Sequence, residues 1–308
     1  MNGMKATACV LGAGALWGCI SLFVRALNAA GLSAIEICGI RMAVGVAGML
    51  VVLLVVDPGK LRIRLRDTWL FAGTGVVSVT LFNLCYFTCI QISEASIAVV
   101  LLYTSPIWVM LLSALFFRER ITGRKVVALG LTFAGCALVA GVLGSSVQLS
   151  PFALFIGVAS GFFYATYSIF GRVALARYDT LTITFYTFAF GLAACLAAGD
   201  PAHTVAVAAA DPALAAWYVG LGICCTILPY LLYTTGLEHL EPSRAAILAT
   251  IEPLVAGLIG IFVYGEGTGA AKLVGMALIL AAVVLANTGG RSDLEAGAES
   301  SAEQRLEE

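Results

Sequence analysis

Two ionisable side chains stand where a long apolar sequence should hold none. Glu252 lies near the middle of the apolar run 243–264, directly before Pro253, and Arg41 lies roughly a third of the way along the run 34–56. A carboxylate at the centre of a bilayer costs from about 2.5 kcal/mol upward, so Glu252 must face a cavity or a partner. Pro253 breaks the local hydrogen-bond ladder, frees a carbonyl and kinks the helix. That chemistry suits a site for a substrate amine or a proton, with a packing hydrogen bond between helices as the other use. Arg41 can bind a substrate carboxylate, snorkel to the interface, or pin its helix to a neighbour. The structural use of such an arginine is the commoner one.

Aromatic and amide side chains form a second group. Trp17, Asn83, Tyr86, Tyr103, Tyr164, Tyr167, Tyr230 and Tyr233 all fall inside apolar runs. Rings usually gather in belts at the membrane surface, but at mid-run a phenol needs a polar partner or a wet cavity. As a set with Glu252, the residues Trp17, Asn83, Tyr86, Tyr103, Tyr164, Tyr230 and Tyr233 are the candidate substrate-binding side chains. Glu252 is also the candidate for proton or ion coupling. Pro106 and Pro253 are the candidate hinges, and Arg41 the structural intramembrane charge.

The elements that must carry these groups follow from composition. The chain has 308 residues, 61% of them hydrophobic and 11% charged, with a mean hydropathy of +1.00. A soluble domain is nearer half apolar and a quarter charged. A net charge of −1 argues against a nucleic-acid partner. The nine cysteines lie in apolar runs, and His203 and His239 are the sole histidines, so no metal-ligand spacing or cofactor site emerges. The apolar runs hold no paired carboxylates and no Ser-His constellation, which speaks against an intramembrane enzyme. The G-x-x-x-x-G-K-[ST] loop of ATP-driven machines is missing too. A membrane sensor would need an attached output domain, and the sequence shows none.

A hydrocarbon core about 30 Å thick needs about 20 apolar residues per helix. Ten spans are expected near 6–26, 34–56, 69–90, 95–117, 124–143, 151–171, 180–199, 214–236, 243–264 and 270–288. The first five return in the second five with an offset of 147 positions, which pairs Gly14 with Gly161, Arg25 with Arg172, Tyr86 with Tyr233, Pro106 with Pro253, Glu119 with Glu266 and Lys125 with Lys272. Trp17 pairs with Tyr164, and Asn83 with Tyr230, by the same offset. Five spans per copy is odd, so the second copy enters the membrane upside down. With both termini inside, fourteen Lys and Arg fall in cytoplasmic segments and two outside. The organisation is therefore a copy over 1–146, a second over 147–290, and a polar, disordered cytoplasmic tail over 291–308. Asp200-Pro201 and Asp211-Pro212 read as turns, and Arg118-Glu119-Arg120 as a cytoplasmic anchor.

Arg41 in span two, Pro106 followed by Glu119 at the close of span four, and Glu252-Pro253 followed by Glu266 at the close of span nine resemble the EamA-like drug/metabolite transporters over residues 6–288. The resemblance implies an all-α integral membrane protein of two inverted five-helix repeats with a central cavity between them. It implies a secondary transporter in the cell membrane that exports or imports small metabolites, often amino acids or their derivatives, and export is the direction expected here. Its partners would be a small-molecule substrate and the lipid bilayer, with the chain a monomer or homodimer. Uptake of a cationic solute such as a quaternary amine is the alternative, since rings and one carboxylate suit such a cation.

Overall fold

The computed structural model describes residues 3–93, 95–142, 150–267 and 269–287, and among them the regular structure is helical throughout. The polar tail expected over 291–308 lies outside the described residues. Nine helices among those described are long and apolar enough to cross a bilayer: Gly3–Ala29, Ala34–Val56, Leu65–Ile92, Ser96–Phe117, Pro151–Leu175, Thr180–Ala198, Leu214–His239, Pro242–Phe262 and Ala270–Asn287. The remaining one, Gly123–Val139, has 17 residues and takes the place of span five. Helices are the expected outcome because hydrocarbon offers no water to satisfy backbone N–H and C=O groups. Capping side chains set their starts. The Asp179 side chain accepts from the Thr182 N–H at 2.9 Å, the Ser150 hydroxyl from the Ala153 N–H at 3.1 Å, and Glu36 closes a capping box on Ser33.

The two copies interlock. Span one packs on span eight as its counterpart span six packs on span three, while span two meets span seven and span four meets span nine. Thr7 donates to Asn287 at 3.3 Å, which places the start of span one and the end of span ten at one end of the bundle. Arg25 pairs with Glu266 at 2.9 Å at the opposite end. The fold is thus two five-helix copies of opposite sense.

Several crossings are discontinuous, and the irregularities repeat. Span four breaks between Ala95–Leu102 and Ser105–Phe117, and span nine between Pro242–Ala249 and Glu252–Phe262. Spans three and eight carry π-helical stretches at Gly73–Leu81 and Ile223–Ile227. Pro106 and Pro253 do not kink a continuous helix as expected. Each sits in the first turn of a new helical half, where its missing N–H would be unpartnered anyway. The connection after span seven also differs from the expected turns. Asp200 caps the His203 N–H at 3.0 Å, and the alanine-rich stretch behind it forms the helix Pro201–Ala210.

The breaks are seated on glycine. A Cβ on Gly14 would lie 2.6 Å from the Ala249 carbonyl oxygen, and one on Gly161 would lie 2.9 Å from that of Leu101. Each glycine of spans one and six therefore lets a backbone rest on the broken turn of the facing copy's ninth or fourth span. Gly161→Ala should cost about 1–3 kcal/mol by overpacking and lower the unfolding temperature of the solubilised protein. Gly130→Ala, where a Cβ meets open space, should leave it unchanged or raise it. A second expectation concerns Asp179. Partial burial pushes its carboxyl up, but the Thr182 N–H and the Lys60 ammonium at 3.0 Å outweigh that and hold it below the usual carboxylate range. The cap and ion pair therefore act fully above the ordinary Asp value and fade only as pH falls through the lowered one. Asp179→Ala should speed hydrogen exchange at 180–184 at neutral pH and converge with wild type in strong acid.

Candidate functional site

The broken turn of span nine places Glu252 in the first turn of the half-helix Glu252–Phe262. Free N–H groups and the positive end of the helix dipole favour an acid there. A Cβ on Gly18 of span one would lie 2.7 Å from the Glu252 carbonyl oxygen, so close packing holds this turn. The side chain faces a cavity of about 620 Å³ between the copies. The Tyr103 phenol, from the broken turn of span four, stands beside it.

Arg41 enters the same cavity from span two. Its Nε donates to the Thr226 hydroxyl and its Nη2 to the Cys225 carbonyl, both at 3.0 Å. Those partners lie in the π-helical stretch of span eight, where the wider turn leaves a carbonyl accessible to a side chain. Arg41 thus pins one copy to the other, and Nη1 has no hydrogen-bond partner among the described residues. Arg41 and Glu252 share the cavity without forming an ion pair.

Rings stand among the aliphatic side chains of the wall. Trp17 packs edge-on against Tyr230 with centroids 5.5 Å apart, Tyr86 stacks on Phe82 at 5.9 Å, and Tyr164 meets Phe82 at 5.1 Å. Asn83 donates Nδ2 to the Val79 carbonyl at 2.7 Å within the π-helical stretch of span three, and it too lines the cavity. Of the candidate binding residues, Trp17, Asn83, Tyr86, Tyr103, Tyr164, Tyr230 and Glu252 are brought together here, with Pro253 beside them.

Tyr233 is not among them. It is buried against Trp17 and Tyr167, and its hydroxyl shares a hydrogen bond of 2.8 Å with Ser168. It borders instead a void of about 40 Å³ on the side of the termini, with Ser105, Tyr167, Ser168 and Thr250. Pro106 lies in the second half of span four, away from the cavity lining. The wide cavity opens at the other end of the bundle, past Asn28, Gln91 and Tyr264.

That mouth carries a cluster of charges that lies outside the mid-span set. Glu266 pairs with Arg25 at 2.9 Å and Lys272 at 3.0 Å, and the Arg25 guanidinium lies 3.9 Å from the centre of the Tyr264 ring. The Lys272 hydrogen bond and that of Arg25 hold the Glu266 carboxyl below its usual range. Its signal in the sequence was the repeat itself, which matches Glu266 and Lys272 to Glu119 and Lys125. Glu119, read as part of a cytoplasmic anchor, is a buried side chain paired with Lys125 at 2.6 Å and bonded by the Ser243 hydroxyl.

The EamA-like transporter family matches twice, over residues 4–141 and 151–288. A protein of Archaeoglobus fulgidus, described as an "uncharacterized transporter", is 32% identical over 276 residues, covering 88% of this chain and 92% of its own. The "uncharacterized inner membrane transporter YicL" of Salmonella typhimurium is 28% identical, covering 72% and 73%. A solved crystal structure shares the fold with a TM-score of 0.77 at 17% identity, over 94% of this chain and 98% of that one. With two family matches laid end to end on a bundle of membrane-crossing helices, the chain belongs to the EamA-like transporter family and is a multi-pass membrane protein.

Proposed function

We propose that this protein is a secondary active transporter that exports a small polar metabolite, an amino acid or a derivative of one. It works by alternating access of the copies 1–146 and 147–290 around the cavity at Glu252. The observation that carries this reading is a pair of opposite charges, Arg41 and Glu252, facing one aromatic cavity without neutralising each other. Opposite charges left unpaired near the bilayer midplane are costly, and a ligand that supplies both counter-charges relieves that cost. A zwitterion does so, with its carboxylate at the free Nη1 of Arg41 and its ammonium at Glu252 among the rings. The volume of about 620 Å³ falls within the usual range for small-ligand sites.

The excess of Lys and Arg in the segments on the same side as the termini supports a cytoplasmic location for both ends in the cell membrane. The cavity then opens outward here. Outward transport is the direction we adopt, with Glu252 able to carry either the amine or a coupling proton. Uptake of a quaternary amine is the rival, favoured by the rings around Glu252 and opposed by the positive Arg41 in the same space.

Counterflow in proteoliposomes discriminates these readings. Amino acids should exchange saturably, whereas N-acetylated amino acids, decarboxylated amines and choline-like cations should compete poorly. Exchange of choline-like compounds in preference to amino acids would establish the rival. Glu252→Gln should lower exchange by at least about tenfold, the worth of one charge-assisted hydrogen bond. Unchanged transport with unchanged pH dependence would remove Glu252 from the mechanism. Arg41→Lys keeps the charge but not the fork that holds span eight, so it should reduce exchange and also lower the unfolding temperature.

A further inference from the structure

The sealed end of the bundle shows what the open end lacks. At the sealed end, Nη1 of Arg172 in span six donates to the carbonyls of Leu237 at 2.7 Å and Glu238 at 3.0 Å. These belong to the last turn of span eight, which ends at His239. Carbonyls there have no partner within the helix and carry the negative end of its dipole, so a guanidinium is well placed. The same end is tied by Lys125, which reaches Glu119 at 2.6 Å and Glu241 at 2.8 Å.

The repeat assigns a counterpart to each of these groups. Arg25 of span one corresponds to Arg172, and Ile90 and Gln91, in the last turn of span three, correspond to Leu237 and Glu238. Arg25, Ile90 and Gln91 all line the open mouth. Arg25 is turned to Glu266 and to the Tyr264 ring. The counterparts of those two residues at the sealed end are Glu119 and Phe117. Lys272 holds Glu266 at 3.0 Å just as Lys125 holds Glu119, so this pair persists whether its end is open or closed. The arginines are what differ.

We infer that Arg25 and Arg172 are repeat-related latches that exchange partners as the mouth alternates. When the mouth closes, Arg25 leaves Glu266 and Tyr264 for the carbonyls of Ile90 and Gln91. At the other end Arg172 releases Leu237 and Glu238 and takes Glu119 and the face of Phe117. Span one is thereby drawn onto span three at one end while span six separates from span eight at the other. This rests on the alternating-access reading above. The bias comes from one bond: the Arg25 pair with Glu266 is exposed and weak, whereas the guanidinium bond to the Leu237 carbonyl at the closed end is partly buried, the bond to Glu238 being exposed. Loss of Arg25 therefore penalises the closed mouth more than the open one.

The test is peptide-resolved hydrogen exchange on the full chain in lipid nanodiscs, with wild type, Arg25→Gln, Arg172→Gln and Glu266→Gln. Arg25→Gln should raise exchange at 20–29, 85–92 and 259–266 by up to about tenfold and slow it at 168–178 and 233–244. Arg172→Gln should do the reverse. Glu266→Gln removes the hold on the open mouth and should slow exchange at the mouth, which keeps the inference testable if Arg172→Gln does not fold. Faster exchange confined to each variant's own end, or no change, would overturn it. Counterflow on the same samples separates this inference from the proposed function. Solute exchange without opposed shifts leaves the carrier and sinks the latches, while opposed shifts without solute exchange do the converse.

Discussion

A backbone may be interrupted inside a membrane only where something other than water satisfies or shields it. That constraint organises this protein. Spans four and nine are broken at matching places, and each break is pressed against a glycine of the other copy, Gly161 for the first and Gly14 for the second. The interrupted turns face the space between the copies, and the first residue of the new half-helix in span nine is Glu252. The acid is tolerated because a helix end begins there and a cavity lies in front of it. In span four the equivalent residue is Ser105, buried beside the small void. One copy thus supplies the break and the charge, the other the break alone.

Arg41 completes the arrangement from the opposite wall. Its bonds to Thr226 and Cys225 require the widened turn of span eight, so the π-helical stretch has a definite role in holding the two copies at a fixed distance on this side. The small void reinforces the symmetry. Its Ser105, Tyr167, Ser168, Tyr233 and Ala249 are the repeat counterparts of Glu252, Ile20, Ser21, Tyr86 and Leu102 on the wide cavity. In the proposed transport cycle it is the collapsed half of one pathway, where the Ser168–Tyr233 and Tyr167–Thr234 hydrogen bonds of 2.8 and 2.7 Å stand.

Much of this was legible beforehand, for physical reasons. Apolar runs of bilayer length leave few alternatives to helices, and a repeat of odd span number leaves none to inversion. Charges in such runs stand out because they are costly. Depth within a helix was harder to read. Tyr230 and Tyr233 are separated by less than one turn, yet Tyr230 reaches the wide cavity while Tyr233 borders the void alone, its hydroxyl held by Ser168. The burial of Glu119 within the cytoplasmic anchor was not legible because Arg118 and Arg120 flank it, while the Lys125 and Ser243 that hold it come from other segments. The helix Pro201–Ala210 was hidden by the Asp-Pro pairs at each end, which serve as a cap and a stop as readily as turns.

The central claim is that one solute bridges Arg41 and Glu252 in the cavity between the copies. The most direct measurement is a structure of the full chain with a solute that passes the counterflow test bound to it. The expected result is density in that cavity, with the carboxylate at hydrogen-bond distance from the Arg41 guanidinium and the ammonium at Glu252 within the ring wall. Density seated elsewhere, or in the cavity but contacting neither charge, would contradict it.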